Sequence, residues 1–119
     1  MEVINLAQKV ELINEYWDPK IIAELNGQHV KIAKIKGQFL WHSHENEDEL
    51  FYVLSGELVM HFRDKVLKLS KGDMCVVPKG IEHKPVAIEE TYILMFEPIG
   101  TLNTGDKETE KTQRDLEHI

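Results

Sequence analysis

Three histidines and a glutamate are spaced so that their side chains could meet. His42 and His44 lie two residues apart, so on an extended segment both side chains leave from one face. Glu49 follows after the loop Glu45 to Asp48, and His83 comes just after Pro78-Lys79-Gly80. Three imidazoles and a carboxylate make a borderline-to-hard ligand set. One divalent transition-metal ion suits it, and Fe, Mn, Ni, Co, Cu and Zn all qualify. Other reactive types read more plainly. Cys75 sits in an apolar stretch and reads as buried and inert. Glu45, Glu47 and Asp48 read as a solvated loop. Trp41 and His61 fall on the parity opposite to the ligand candidates.

Such ligands need a rigid scaffold, and the chain reads as strands. From Ile21 onward, about nine short apolar-alternating runs are separated by turn residues such as Asn26-Gly27, Gly37, Gly56 and Lys71-Gly72. This pattern predicts an all-β sandwich or barrel. Residues 1–20 form an N-terminal segment, with a short helix expected within Leu6 to Asn14. Residues 21–99 form the barrel. Residues 100–119 form a polar tail, read as loosely ordered unless Leu116 and Ile119 anchor it.

Hairpin logic predicts what surrounds the ligands. A turn at Ser55-Gly56 pairs Val53 with Leu58, Phe51 with Met60 and Glu49 with Phe62, and cross-strand partners share a face. A turn at Glu89-Glu90 pairs His83 with Phe96, Pro85 with Leu94 and Ala87 with Tyr92. Gln38 and Leu40 share the parity of His42. The expected pocket is therefore Gln38, Leu40, Phe51, Met60, Phe62, Tyr92, Leu94 and Phe96, apolar apart from Gln38 and Tyr92. Such a pocket suits a small, partly apolar ligand better than a sugar phosphate. Leu50, Tyr52, Leu54 and Val59 occupy the opposite face of the first hairpin. Their apolar character predicts a covering layer from a second sheet of the barrel, the N-terminal segment or a partner subunit, and the last of these makes a homodimer the expectation.

The sequence resembles the cupins. Gly37, His42, His44, Glu49 and Gly56 stand at the spacing of the first cupin motif, and Gly72, Pro78, Gly80 and His83 at that of the second. The stretch GDMCVVPKGIEHKPV is similar to that of the small single-domain cupins, although Ala87 stands where the second motif often has Asn. The resemblance implies a jelly-roll β-barrel with a metal ion inside, held by His42, His44, Glu49 and His83, in a protein that is often a dimer.

With 119 residues the chain fits one domain. A net charge of −7 argues against a nucleic-acid surface. No apolar run is long enough to span a bilayer. One cysteine and no signal-like start point to the cytoplasm. Two functions stay open. One is a metal-dependent enzyme, a dioxygenase, isomerase or lyase, acting on a small partly apolar molecule. The other is a non-catalytic module that binds or senses a small ligand or metal. Fold membership does not choose between them.

Overall fold

The computed structural model covers residues 1–119 and is nearly all β. A single helical turn, α1 (Leu6–Val10), starts where Asn5 accepts a hydrogen bond from the Gln8 amide at 2.9 Å, an N-cap. Seven strands follow: β1 (Lys20–Leu25), β2 (Gln28–Gln38), β3 (Glu49–Ser55), β4 (Glu57–Phe62), β5 (Val66–Ser70), β6 (Met74–Val77) and β7 (His83–Pro98). The sheet runs β1-β2-β7-β3-β6, and β4 joins it on β7 and carries β5. All pairings are antiparallel.

The long β7 organises the barrel. Its first part, His83 to Val86, pairs with β4, and its second part, Tyr92 to Phe96, pairs with β3. β2 runs along both parts, with a bulge between Ile35 and Gly37. The chain therefore does not fold back at Gly56 into a β3–β4 hairpin. Gly56 is a corner at which it crosses from one half of the barrel to the other. A side chain there is excluded twice over: φ is +88°, and a Cβ would lie 2.4 Å from Thr91 Oγ1. Phe51, Val53, Leu58 and Met60 still face inward, because alternation along each strand is independent of which strand is its neighbour.

No turn forms at Glu89-Glu90 either. Ile88, Glu89 and Glu90 are an exposed, unpaired bulge within one continuous strand. Parity therefore carries straight through from His83, Pro85 and Ala87 to Thr91, Ile93, Met95 and Glu97, all of them buried. The core is apolar, built from residues such as Ile35, Val53, Leu58, Met60, Leu69 and Ile93.

The tail is not loose. Ile21 N–H donates to Glu117 O at 2.9 Å and Ile119 N–H to Ile21 O at 3.0 Å, so the chain end lies along the free edge of β1. Its earlier part, through Asp106, reaches back to Ser43.

Candidate metal centre

His42 and His44 lie in the irregular segment between β2 and β3, not on a strand. That segment is pinned at several points. Phe39 N–H donates to Pro85 O at 3.0 Å, and His42 and His83 exchange both backbone hydrogen bonds, at 3.0 and 2.9 Å. This one bridge sets both side chains on the same face. Gly80 N–H donates to His44 O at 2.7 Å. On the far side, Asp106 accepts from Ser43 N–H and donates its own N–H to Ser43 O, each at 2.9 Å. Glu49 opens β3.

All four side chains are buried, and their ligand atoms lie within 4.8 Å of one another. Glu49 Oε1 is 3.2 Å from His44 Nε2 and 3.6 Å from His83 Nε2. The polar atoms test the fit of a metal. Nδ1 of His42 and Nδ1 of His83 are each 2.9 Å from a backbone carbonyl, of Leu40 and Ile81, so both rings donate there and present a lone pair at Nε2. Meanwhile His44 Nε2, His83 Nε2 and Glu49 Oε1 are buried without a well-formed hydrogen bond. Buried polar atoms are seldom left so, and here they converge on one point. The residues fit a single divalent ion.

The electrostatics of His42 and Glu49 agree with that fit, whereas His44 without a metal leans toward an ion pair with Glu49. Burial, reinforced by the neighbouring His83, pulls the His42 imidazole down to about 4, so it is neutral at pH 7. Burial works against protonation of His44 too, but Glu49 outweighs it and raises this imidazole. Burial would raise Glu49, yet contacts with Glu97, His44 and His83 hold its carboxyl well below the usual range.

A cleft with about 500 Å³ of open space out to its mouth adjoins His42 and Glu49. Phe51 lines it, as expected. Phe39, Ile93 and Met95 also line it, in place of the expected Gln38, Leu40, Tyr92, Leu94 and Phe96. The continuous β7 inverts the parity that a hairpin would impose, so Tyr92, Leu94 and Phe96 lie on the outer face. Gln38 is exposed and accepts from Lys84 Nζ at 3.2 Å. Leu40 is half-buried and contributes its carbonyl to His42. Met60 is buried in the core away from the cleft, and half-buried Phe62 pairs with His83 rather than Glu49.

Among the other lining residues that escape the sequence reading are Trp17, Lys31 and Glu97. Trp17 comes from the N-terminal segment and stacks on Phe39, with centroids 4.8 Å apart and planes at 18°. Lys31 and Glu97 form a buried ion pair, Nζ to Oε1 at 2.7 Å. The unbroken odd-numbered alternation from His83 to Glu97, without Gly, Pro, Asn or Asp between Val86 and Glu97, is the signal that points to Glu97. Trp41 faces outward as expected, beneath the Arg63 guanidinium at 3.8 Å. Cys75 is half-buried, its thiol pushed up by burial.

A jelly-roll barrel with a His-His-Glu-His cluster at its centre defines the class. Residues 28–97 match the Cupin domain family, Cupin_2, and the chain belongs to it. The crystal structure of a cupin-2 domain containing protein from Shewanella frigidimarina is similar, with a TM-score of 0.80 and 47% identity over 81% of this chain and 94% of that one. The uncharacterized protein YdbB of Bacillus subtilis is 39% identical over 64% of this chain and 68% of its own length. An acireductone dioxygenase from Tuber melanosporum is 38% identical over 50% of this chain but only 37% of its own length. No helix is long and apolar enough to cross a membrane.

Proposed function

We propose that the protein holds one divalent transition-metal ion through His42, His44, Glu49 and His83, and that it is an enzyme acting on a small, partly apolar molecule in the adjoining cleft. One observation carries the metal: buried nitrogens and a buried carboxylate oxygen converge without partners, while backbone carbonyls fix two of the rings. Three neutral imidazoles and one carboxylate would leave a divalent ion with net charge near +1, favourable for an anionic ligand. Such an ion supplies Lewis-acid chemistry and, if it is iron, dioxygen activation. The likeness to a dioxygenase supports the oxygen-dependent branch over isomerase or lyase chemistry. The chain's own residues orient the ligand set, and the walls of Phe39, Phe51, Ile93 and Met95 exclude water.

Metal analysis of the purified protein tests the first half. One equivalent per chain is expected, and a His42→Ala/His44→Ala variant should retain less than a tenth of it. Full metal content in that variant would sink the assignment. Oxygen uptake screened with small phenols, diketones and thiols tests the second half. An iron-loaded protein that consumes no oxygen with any of them counts against the oxygen-dependent branch and leaves isomerase or lyase chemistry, or a binding module.

A further inference from the structure

The three imidazoles of the cluster are not held alike. Nδ1 of His42 and Nδ1 of His83 each meet a backbone carbonyl, of Leu40 and Ile81, at 2.9 Å. Nδ1 of His44 meets none. It is buried without a partner, in a side chain only 2% exposed. The backbone around this ring is nevertheless fixed on both sides. Gly80 N–H donates to His44 O at 2.7 Å, and Ser43 N–H donates to Asp106 at 2.9 Å. The ring alone lacks the outer anchor that its two neighbours have.

The need for an anchor depends on the other nitrogen. In the metal-free cluster, His44 Nε2 faces Glu49 Oε1 at 3.2 Å, and a proton on Nε2 serves that contact. An ion on Nε2 takes the lone pair there, so the neutral ring carries its proton on Nδ1. A buried N–H then points away from the ion, and a buried donor left unpaired is costly.

One acceptor is close by. Glu47 Oε1 lies 4.0 Å from His44 Nδ1, about 1 Å beyond a normal hydrogen bond. The other acids of this region are placed differently. Asp48 accepts from Lys79 N–H and Asp106 from Ser43 N–H, each at 2.9 Å, and Glu45 is exposed. With Asp48 tied to Lys79 and His44 tied to Gly80, both ends of the loop are held. Rotation of one side chain therefore closes the gap. The Glu47 side chain is 27% exposed and borders an open cavity, which leaves it room to turn.

We propose that Glu47 is a positioning residue for the metal: when an ion occupies the cluster, its carboxylate accepts the Nδ1–H of His44 and locks that ring as Leu40 and Ile81 lock the other two. A charged acceptor also makes Nε2 more basic toward the ion. The acidic loop 45–48 is then part of the metal centre and more than a solvated connection. This rests on the metal reading above and adds a residue to it.

The test uses the full chain, zinc-loaded and carrying isotope-labelled histidine, so that imidazole N–H protons are seen directly by NMR. Those of His42, His44 and His83 should all be protected from exchange with water. In Glu47→Ala the His44 signal should vanish while the other two persist, which also shows that the variant is folded. Its zinc affinity, read by competition with a chelator, should fall about tenfold or more. Glu47→Gln, whose amide oxygen still accepts, should keep the signal and lose less affinity. Glu45→Ala removes the same charge from the same loop without the contact, and should cost less than about threefold. Glu47→Leu, similar in size to the native residue and unable to accept, replaces Glu47→Ala if that variant does not fold. Failure of the unmodified protein to retain zinc overturns the metal reading and this one together. Zinc retained with only the His42 and His83 protons protected overturns this proposal alone. So does a His44 proton that survives in Glu47→Ala, a signal that Glu47→Gln does not restore, or an affinity loss that Glu45→Ala matches.

Discussion

His42 and Glu49 differ in how the fold treats their charge, and the difference can be measured. The unfolded His42 imidazole titrates near 6.5 and the folded one near 4. Below pH 6.5 the unfolded chain therefore binds a proton that the native state refuses. Metal-free protein should lose up to about 3 kcal/mol through this residue as pH falls from 6.5 to 4, and no more below that. His44, raised rather than lowered, works in the opposite sense. Comparing chelator-treated wild type with His42→Gln cancels that contribution. Denaturant titrations from pH 7 to 4 should show wild type losing about 3 kcal/mol more than the variant, and parallel curves would refute it. The candidate cluster of His42, His44, Glu49 and His83 is legible in sequence because residue type and spacing bring it out. Glu97 and Lys31 are not, because a charged residue in an alternating strand reads as solvent-facing until the register of its neighbours is known.

At the scale of elements, the strands are legible and their partners are not. Glu89-Glu90 reads as a turn because it is polar, yet an exposed bulge satisfies the same polarity without reversing the chain, and that one difference moves Tyr92, Leu94 and Phe96 to the outer face. The tail is misread for a related reason. Its few apolar residues predict disorder, whereas backbone pairing with Ile21 and Ser43 needs no apolar side chains. Gly105 is the close point of that contact. Its φ is +57°, and a Cβ would sit 2.2 Å from Ser43 O and 3.0 Å from His42 Cδ2. Gly72 has φ +90° but nothing within 4 Å. Gly72→Ala should therefore cost only backbone strain, about 1–2 kcal/mol. Gly105→Ala should cost at least about 1 kcal/mol more and should weaken metal binding by shifting the His42–His44 segment. Thermal melts and zinc titrations of the two variants decide this, and equal losses in both would show that the tail does not brace the site.

For the whole molecule, an apolar core independent of the ligand cluster means that the barrel should outlive its metal, unlike a zinc finger. Chelation should lower Tm yet leave a β-type far-UV circular dichroism spectrum, and collapse of that spectrum at room temperature would contradict it. Assembly follows from the other side of the sheet. Cross-strand pairing puts Leu50 beside Val76 and Phe96, and Tyr52 beside Met74 and Leu94, on one outer face. Val59, grouped with them on the hairpin reading, lies instead on β4, between Val86 and Lys68. Met74 and Val76 are 55% and 53% exposed. They sit on β6, whose outer edge pairs with no other strand. Monomers seldom leave a large apolar patch and a free strand edge together in water. A twofold contact would bury the same patch from both chains. Sedimentation at micromolar concentration should therefore give twice 13.8 kDa. Because both side chains already point outward, Met74→Glu/Val76→Lys should yield a folded monomer that keeps its metal. A wild-type mass of 13.8 kDa, or a dimer indifferent to that substitution, would place the contact elsewhere or nowhere.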